Sequence, residues 1–329
     1  MGLSTAGATV LAIDAGNSKT DVAVVTAAGE VVGAARGGGF QPPKVGVDAA
    51  VDVLAEVVGR ALAEAGRICV SHVSACLANA DLPVEERELA QALRRRAFGT
   101  SVEVRNDTFA VLRAGLLDDA EPRGVAVVCG AGINCAGMLP DGRTARFPAI
   151  GKISGDWGGG GGLAQEALWH AARAEDGRGG PTALMHALPA HFGLASMYAL
   201  IEALHLGHVP AARQLELTPV LFATAAEGDE VARALVDRMA DEVVAMSVVA
   251  LGRLALLEEE VPVLLGGGVL AARHRQLDDG IRVRLAERAP KAVPRVVSER
   301  PVLGAALLGL DAVGAPPQSY PRLREAYSD

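Results

Sequence analysis

A polar turn close to the N-terminus carries the first group of residues that could do chemistry. The turn combines a carboxylate, amide and hydroxyl groups and an ammonium, in the order Asp14, Asn17, Ser18, Lys19 and Thr20. Backbone N–H groups in such a turn can form an anion-binding concavity, to which Lys19 adds positive charge. Asp14 could hold a hydrated Mg²⁺ against a polyphosphate, since Mg²⁺ keeps several waters and binds through one or two carboxylates. The same residue types are ordinary turn formers, so the turn alone leaves phosphate binding and a plain turn equally open.

A second turn of this kind lies near residue 130, where Gly130, Ala131 and Gly132 separate two apolar runs. The pattern of strand, glycine turn and strand thus occurs twice, once at the start of each half of the chain. Two glycine hairpins that face one another could bind a polyphosphate from both sides through backbone N–H donors. Taken alone, the second turn is also compatible with an ordinary hairpin.

Two further motifs supply the remaining parts of a phosphoryl-transfer site. Asp107 follows the short strand 102–104, and a carboxylate there can act as a general base or simply cap the next helix. The apolar run 261–265 ends at a glycine triplet, Gly266-Gly267-Gly268, whose bare backbone would admit a flat adenine or serve helix–strand packing. No segment follows the Walker pattern GxxxxGK[ST], so the chain has no P-loop. Together these parts describe the transfer of a phosphoryl group from a nucleotide to a hydroxyl that a base deprotonates.

Alternating strands and helices are predicted to position these motifs. Three antiparallel strands are expected first, followed by β–α–β units with a parallel sheet. The predicted elements of the first half are strands 9–13, 21–26, 30–35, 68–77 and 102–104 and helices 48–65, 83–98 and 109–117, with a loop at 37–43. Ligands collect at the carboxyl ends of parallel strands, which is where Asp107 would lie.

A joint at 115–123 is expected to precede the second half of the chain. The hydrophobic pattern predicts a hairpin there, and then a mainly helical region with short strands. The predicted elements are strands 125–129, 135–139, 261–265 and 295–297, helices 163–174, 229–257 and 301–312, an irregular glycine-rich stretch at 150–162, and a tail from Pro316.

Composition narrows the classes of function. The chain has 329 residues, half of them apolar, which suits two domains with a cleft between them. The formal charge of −8 argues against nucleic acid as a partner, because nucleic-acid binding needs a basic surface. We expect no membrane partner, since neither apolar stretch, 243–257 or 261–272, spans a bilayer comfortably. The lack of a secretory signal, and of a CxxC pair among the four cysteines, predicts a cytoplasmic protein with reduced thiols.

Taken in order, the motifs resemble those of the superfamily that includes actin, hexokinases and heat-shock ATPases. IDAGNSKTD resembles the first phosphate loop, VVCGAGIN the second, LLGGGVL the adenosine motif and PVLGAALLGL the second connecting segment. Within the superfamily, NDTFAVLRAG and CGAGIN are most similar to the BadF/BadG and N-acetylglucosamine kinase group. The resemblance implies an α/β fold of two ribonuclease-H-like lobes with a central cleft. The N-terminal lobe would be 1–117, joined by the returning helix 301–312, and the C-terminal lobe 118–300 would carry nucleotide motifs.

The same resemblance implies roles for individual residues, with ATP and Mg²⁺ as cofactors. Asp107 would be the base that activates the 6-hydroxyl of a sugar. Asp14 would hold Mg²⁺, and the phosphates and adenosine of ATP would contact Asn17, Ser18, Lys19, Thr20, Gly130, Ala131, Gly132, Gly266, Gly267 and Gly268. The sugar would contact Gln41, Asn79, Asp107, Asn134 and Asp156. The oligomeric state stays open, a homodimer included.

One departure from the family pattern bears on the substrate. The acetylhexosamine kinases read GDEG where this chain has Gly155-Asp156-Trp157-Gly158, so Trp157 replaces a glutamate. Together, CLANADLPVEE and GDWGGGGG resemble actinobacterial glucosamine kinases, and a carboxylate such as Asp156 would favour an ammonium. We therefore expect glucosamine 6-phosphate as the product. The alternatives are an N-acetylglucosamine kinase, an enzyme like the type III pantothenate kinases, whose opening IDxGNT is similar, and a non-enzymatic sugar-sensing protein.

Overall fold

The computed structural model describes residues 7–66, 68–118 and 122–328 of the chain. Its strands are β1 Thr9–Ala15, β2 Lys19–Thr26, β3 Val31–Gly38, β4 His72–Leu77, β5 Ser101–Asn106, β6 Gly124–Cys129, β7 Ile133–Met138, β8 Thr144–Arg146, β9 Val261–Gly266 and β10 Ala292–Val296. Its helices are α1 Pro42–Val45, α2 Val47–Ala65, α3 Pro83–Arg95, α4 Thr108–Gly115, α5 Gly159–Glu175, α6 Leu184–His191, α7 Met197–His205, α8 Leu217–Ala226, α9 Glu230–Arg253, α10 Gly268–Ala271, α11 Arg275–Arg288, α12 Pro301–Val313 and α13 Ser319–Glu325. Short 3₁₀ helices cover Gly151–Ser154 and Ala211–Glu216.

The first sheet has the strand order β3-β2-β1-β4-β5. β1, β2 and β3 pair antiparallel, while β1, β4 and β5 run parallel to one another. The prediction of three antiparallel strands followed by β–α–β units is therefore confirmed. Because β1, β4 and β5 are parallel, their carboxyl ends at Ala15, Leu77 and Asn106 lie at one edge of the sheet.

The second sheet has the order β10-β9-β6-β7-β8. β9 and β10 pair in parallel, and β7 and β8 pair antiparallel. β9 is apolar and almost entirely buried, as expected for a central strand. It leads directly into the glycine triplet that begins at Gly266.

The chain divides into two compact units. Unit 1 comprises 136–148, 297–328 and the described part of 1–126, and unit 2 comprises 127–135 and 149–296. Within unit 1, α12 packs on β1, β4 and α4, so the end of the chain joins the first sheet. Residues 119–121 of the expected joint lie outside the described residues.

Helix α2 shows how the apolar pattern of the chain produces the core of unit 1. Val51, Leu54 and Val58 recur at helical spacing and are fully buried in one cluster with β1 and β2. Gly66 ends the helix with a φ of 80°, a backbone conformation that glycine adopts without strain. The helix predicted for 48–65 is thus confirmed.

Three stretches that we expected to be irregular contain regular structure. β3 extends to Gly38 and α1 begins at Pro42, so most of the expected loop 37–43 is regular structure. The stretch from Pro316 contains α13 rather than a plain tail. This helix is too short to form alone, and tertiary contacts stabilise it: Ser319 Oγ donates to the Ala27 carbonyl oxygen at 2.6 Å, and Leu323 is fully buried. The third error concerns the glycine-rich stretch 150–162, part of which is helical.

Close packing of α12 on α4 depends on Gly304. A Cβ added at this glycine would lie 1.8 Å from the Ala110 carbonyl oxygen, so the two helix backbones touch. A Cβ added at Gly309, five residues later in the same helix, would lie 2.2 Å from a methyl group of Val10 on β1. The small residues expected to allow close packing of this helix do so at both positions.

We expect Gly304→Ala to destabilise the protein by roughly 2–3 kcal/mol, because a methyl group would be forced into a backbone that cannot move far. The matched control is Gly59→Ala in α2, where a Cβ meets nothing within 4 Å. That change should stabilise the helix by about 0.5–1 kcal/mol. Chemical denaturation of both variants measures the difference. Equal stabilities would show that the α12–α4 contact is not as close as the geometry indicates.

Candidate active site

The carboxyl edge of the first sheet brings several predicted site residues together. Asn79, just after β4, donates from Nδ2 to Asn17 Oδ1 at 3.1 Å and to the Phe40 carbonyl oxygen at 3.2 Å. Gln41 donates from Nε2 to the Asn17 carbonyl oxygen at 2.6 Å. Asn79 has a φ of 61°, which asparagine tolerates better than most residues. The three side chains thus form one polar cluster around the turn that follows β1.

The turn itself is a tight connection between β1 and β2. The Gly16 N–H donates to the Lys19 carbonyl oxygen at 2.9 Å. Asn17, Ser18 and Lys19 are exposed, whereas Thr20 is buried in β2. The exposed residues of the turn are therefore available to a ligand.

Asp14, in β1, is a buried carboxylate beside this turn and is only 6 % exposed. Its pKa is raised to about 7, first by burial and then by the charges of Asp107 and Asp21, while Lys19 and Arg300 oppose the rise. No hydrogen bond reaches its carboxylate within the described ranges. A buried oxygen pair without a protein donor fits a hydrated Mg²⁺, which would supply the missing positive charge.

Asp107 follows β5 and is partly exposed. Loss of water around the carboxyl raises its pKa to about 6, against the opposing effect of the N–H groups of Thr108 and of Asp107 itself. The side chain makes no capping bond to α4. Instead Asn106 Oδ1 accepts from the Thr108 N–H at 2.9 Å, and Asn106 Nδ2 donates to Asp81 at 2.8 Å. Asn106 therefore accepts the hydrogen bond at the start of α4, and Asp107 does not serve as the helix cap that its sequence position also allowed.

The second glycine turn lies in unit 2 and is held by the first turn of α5. The Gly160 N–H donates to the Gly130 carbonyl oxygen at 2.7 Å, and the Gly161 N–H to the Ala131 carbonyl oxygen at 2.8 Å. A Cβ added at Gly130 or Gly132 would meet nothing within 4 Å. The turn is therefore fixed from one side and open on the other.

Helix α5 begins at Gly159, so the prediction of an irregular stretch over 150–162 is wrong for its last part. Gly159 has a φ of 67°, and a Cβ there would lie 2.4 Å from the Gly132 carbonyl carbon. Glycine-rich sequence usually disfavours helix because it loses much conformational entropy. Here the hydrogen bonds to the second turn, and that of Thr218 Oγ1 to the Gly160 carbonyl oxygen at 2.7 Å, offset this cost.

The three glycines at the end of β9 differ in their surroundings. Gly266 is buried, and Gly267 has a φ of 82° with its Cβ position 2.4 Å from the Cys129 carbonyl oxygen. Gly268 is exposed and opens α10, with nothing within 4 Å of its Cβ position. Both interpretations of the triplet therefore apply, since Gly267 serves close packing and Gly268 leaves bare backbone accessible.

Two predicted sugar contacts in unit 2 already bond to their own loops. Asn134 Oδ1 accepts from the Cys135 N–H at 2.7 Å. Asp156 Oδ2 accepts from the Gly151 N–H at 3.1 Å and from Ser154 Oγ. Asp156 thus closes the loop that precedes α5, and part of its acceptor capacity is used.

Trp157, which the sequence motif led us to set against a glutamate, packs against α9. It is buried, and the Arg238 guanidinium lies 4.1 Å from its ring centroid. A Cβ on the next residue, Gly158, would lie 2.5 Å from Met239 Sδ on the same helix. Residue 157 itself therefore supplies an aromatic ring that fills space, and no carboxylate.

A row of charged residues beside the first turn was missed by the sequence analysis. Cross-strand pairing places Arg36, Asp21, Asp14, Cys76 and Arg105 opposite one another across all five strands of the first sheet. Directly opposed residues share a face of the sheet, so Asp14 has the Asp21 carboxylate on one side and the neutral Cys76 thiol on the other. The signal was present, because Asp21 interrupts an otherwise apolar strand.

No group of three or more histidine, cysteine, aspartate or glutamate side chains that could hold a metal ion occurs in the described parts of the chain. Mg²⁺ in nucleotide enzymes does not need such a group, since substrate phosphates and water complete its coordination. The cysteines are free, and burial raises the thiol pKa of Cys129 and Cys135. Among the described helices, none has the length and apolar character that crossing a membrane requires.

Comparison with known proteins identifies the family. The model of the BadF/BadG/BcrA/BcrD ATPase family matches residues 11–309. The chain belongs to this family. The resemblance drawn from its loops is therefore confirmed.

Two curated relatives are sugar kinases by name. The N-acetyl-D-glucosamine kinase of Dictyostelium discoideum is 26 % identical over 244 residues, which cover 73 % of this chain and 76 % of the relative. The N-acetylmuramic acid/N-acetylglucosamine kinase of Clostridium acetobutylicum is 25 % identical over 268 residues, which cover 79 % of this chain and 85 % of the relative.

A solved structure confirms the fold class. A candidate N-acetylglucosamine kinase from Chromobacterium violaceum superposes with a TM-score of 0.66 at 23 % identity, covering 92 % of this chain and 98 % of that one. The α/β fold of ribonuclease-H-like lobes that the resemblance implied is thereby confirmed.

Asp14→Asn should stabilise the folded protein at high pH. With its pKa raised to about 7, folded Asp14 keeps a proton that the unfolded chain loses near pH 4, so stability falls as the pH rises through this window. Removing the charge should increase the free energy of unfolding at pH 8 by roughly 4 kcal/mol, and by less than about 1 kcal/mol at pH 4. Denaturant titrations in EDTA at both pH values test this. Asp48→Asn, on the surface, is the control, and an Asp14 variant less stable than wild type at pH 8 would contradict the prediction.

Gly159→Ala should disturb the second turn, because the new methyl group would overlap Gly132 in a backbone conformation unfavourable for alanine. We expect a loss of roughly 2 kcal/mol in stability and about tenfold weaker ADP binding. Gly162→Ala, in the same glycine run but with an open Cβ position, is the matched control and should change neither. Thermal unfolding and calorimetric titration measure both effects, and identical behaviour of the two variants would exclude the backbone contact as a support for the turn.

Proposed function

We propose that the protein is an ATP-dependent kinase that phosphorylates the 6-hydroxyl group of an amino sugar. The observation that carries the proposal is the position of Asp107 and Asp14 at one edge of the first sheet, next to an exposed turn with Lys19. A base, a second carboxylate that can hold Mg²⁺ and an ammonium at one edge of a sheet are parts that phosphoryl transfer requires. Membership of an ATPase family and the names of the curated relatives support the same activity.

The chemistry follows from the environment of each group. Asp107 accepts the proton of the sugar hydroxyl as it attacks, and a pKa of about 6 keeps the carboxylate largely ionised at neutral pH. Within unit 1, Lys19 and the backbone N–H groups of the first turn bind phosphate oxygens. Mg²⁺, held through water by Asp14, would neutralise charge on the phosphates. Gln41 and Asn79 orient the sugar.

We propose N-acetylglucosamine as the principal substrate. Both curated relatives act on it by name, and their support for it is stronger than the support for glucosamine, which the sequence favoured. Glucosamine is the second candidate on one observation. Gly155-Asp156-Trp157-Gly158 departs from the GDEG motif that the resemblance to acetylhexosamine kinases leads one to expect, and the Trp157 ring is buried against Arg238 instead.

A coupled ADP-release assay over N-acetylglucosamine, glucosamine, glucose, mannose and pantothenate tests the function. Turnover should be highest with N-acetylglucosamine, and Asp107→Asn should lower kcat about 10²–10⁴-fold with ATP affinity retained. For wild type, kcat/KM should fall as the pH drops below about 6, because protonated Asp107 cannot act as a base. Asp48→Asn is the control. Turnover of pantothenate alone, or full activity of the Asp107 variant, would refute the proposal.

A further inference from the structure

Asp21 is the centre of an ionic cluster in which only Lys19 has been given a role above. Arg36 holds it with a two-pronged contact, donating from Nε to Oδ1 at 2.7 Å and from Nη2 to Oδ2 at 3.0 Å. Arg300 Nη2 lies 3.5 Å from Oδ1, and Lys19 Nζ lies 3.7 Å from Oδ2. One carboxylate therefore gathers three cations.

The cations come from separate parts of unit 1. Arg36 is on β3, Lys19 is at the start of β2, and Arg300 is the N-cap residue of α12. Arg300 also lies 5.5 Å from the ring centroid of Tyr327, a cation–π distance that helps to fix the guanidinium. The long sequence separation shows that the fold assembles this cluster.

Burial differs sharply between the acid and its partners. The Asp21 side chain is 5 % exposed, whereas those of Lys19, Arg36 and Arg300 are 52 %, 56 % and 49 % exposed. Arg36 uses two of its five N–H donors on Asp21, which leaves three for another acceptor. The buried carboxylate thus anchors a cationic surface that faces solvent with excess positive charge.

We propose that Lys19, Arg36 and Arg300 form a phosphate-binding site, organised by Asp21, that takes the terminal phosphate of the nucleotide. Asp21 acts as a positioning residue, and Arg36 and Arg300 contact the anion. The inference rests on the proposed function, because only that function places a nucleotide at the first turn.

The neighbourhood of the cluster selects the terminal phosphate rather than the inner ones. Asp14 stands opposite Asp21 on the adjacent strand, and its charge interacts with those of both Asp107 and Arg300. A base for the sugar hydroxyl must lie beside the phosphoryl group in transfer. Guanidinium groups on this side of the turn are therefore placed for the oxygens of that group, whose charge they would stabilise with two-pronged hydrogen bonds.

Calorimetric titration of the full chain with MgATP and MgADP tests the site without relying on sugar turnover. Arg300→Gln and Arg36→Gln should each weaken MgATP binding about tenfold and MgADP binding less than about twofold, since a charge-assisted hydrogen bond is lost only with ATP. Arg300→Lys should restore part of the ATP affinity by keeping the charge. Arg322→Gln is the matched control, because Arg322 is an equally exposed arginine of unit 1 paired with Glu30.

Asp21→Asn separates positioning from structure. It keeps the shape of the side chain and should reduce ATP affinity in the same direction as the arginine variants, with thermal unfolding used to confirm that it folds. Arginine variants that fold and bind MgATP as wild type does would overturn the site. An equal loss for ATP and ADP would overturn its assignment to the terminal phosphate.

The two proposals fail in different ways. A wild-type protein that binds MgATP but phosphorylates no sugar contradicts the proposed function, while the arginine variants still decide the phosphate site through ATP affinity. A wild-type protein that binds neither nucleotide overturns both.

Discussion

The cost of keeping charge at the edge of an apolar sheet governs the structure around the first turn. Asp14 and Asp107 have lost much of their water, so the pKa of each carboxyl is raised, to about 7 and about 6. Burial disfavours the ionised form of such a carboxyl group unless a cation lies beside it, so the protonated form or an ion pair is more stable. Arg36 on β3 pairs with Asp21, and the charges of Lys19 and Arg300 lower the pKa of Asp14, which limits this cost. The buried carboxyl groups therefore lower the stability of the folded protein at the same edge of the sheet where phosphoryl transfer would need charged groups.

Backbone contact is the second constraint, and it explains where this glycine-rich chain cannot accept a side chain. Gly304 brings α12 against α4, Gly159 brings α5 against the second turn, and Gly267 brings the end of β9 against β6. In each case the added Cβ would lie less than 3 Å from a carbonyl group. Other glycines, such as Gly130 and Gly268, have open space instead. The distinction separates glycines that hold the fold from those that leave backbone accessible to a ligand.

The terminal helices connect this framework to the first turn. α12 packs on the first sheet, and its N-cap residue Arg300 reaches Asp21. α13 follows, with Arg324 donating to the Ala114 carbonyl oxygen at 2.8 Å and pairing with Asp118. Because α12 packs on β1, the last part of the chain stabilises the strand that carries Asp14.

The sequence by itself determined most of the strands and helices and the positions of the two glycine turns. A continuous apolar run, as in β1, and apolar residues at helical spacing, as in α2, are patterns of neighbours along the chain. The tertiary structure alone decided the helical start at Gly159, the helix α13 and the assembly of Lys19, Arg36 and Arg300 around Asp21. These features depend on partners far apart in sequence, such as Gly132 for Gly159 and Ala27 for Ser319. The raised pKa values belong to the same class, because burial is a property of the packed chain and of no local pattern.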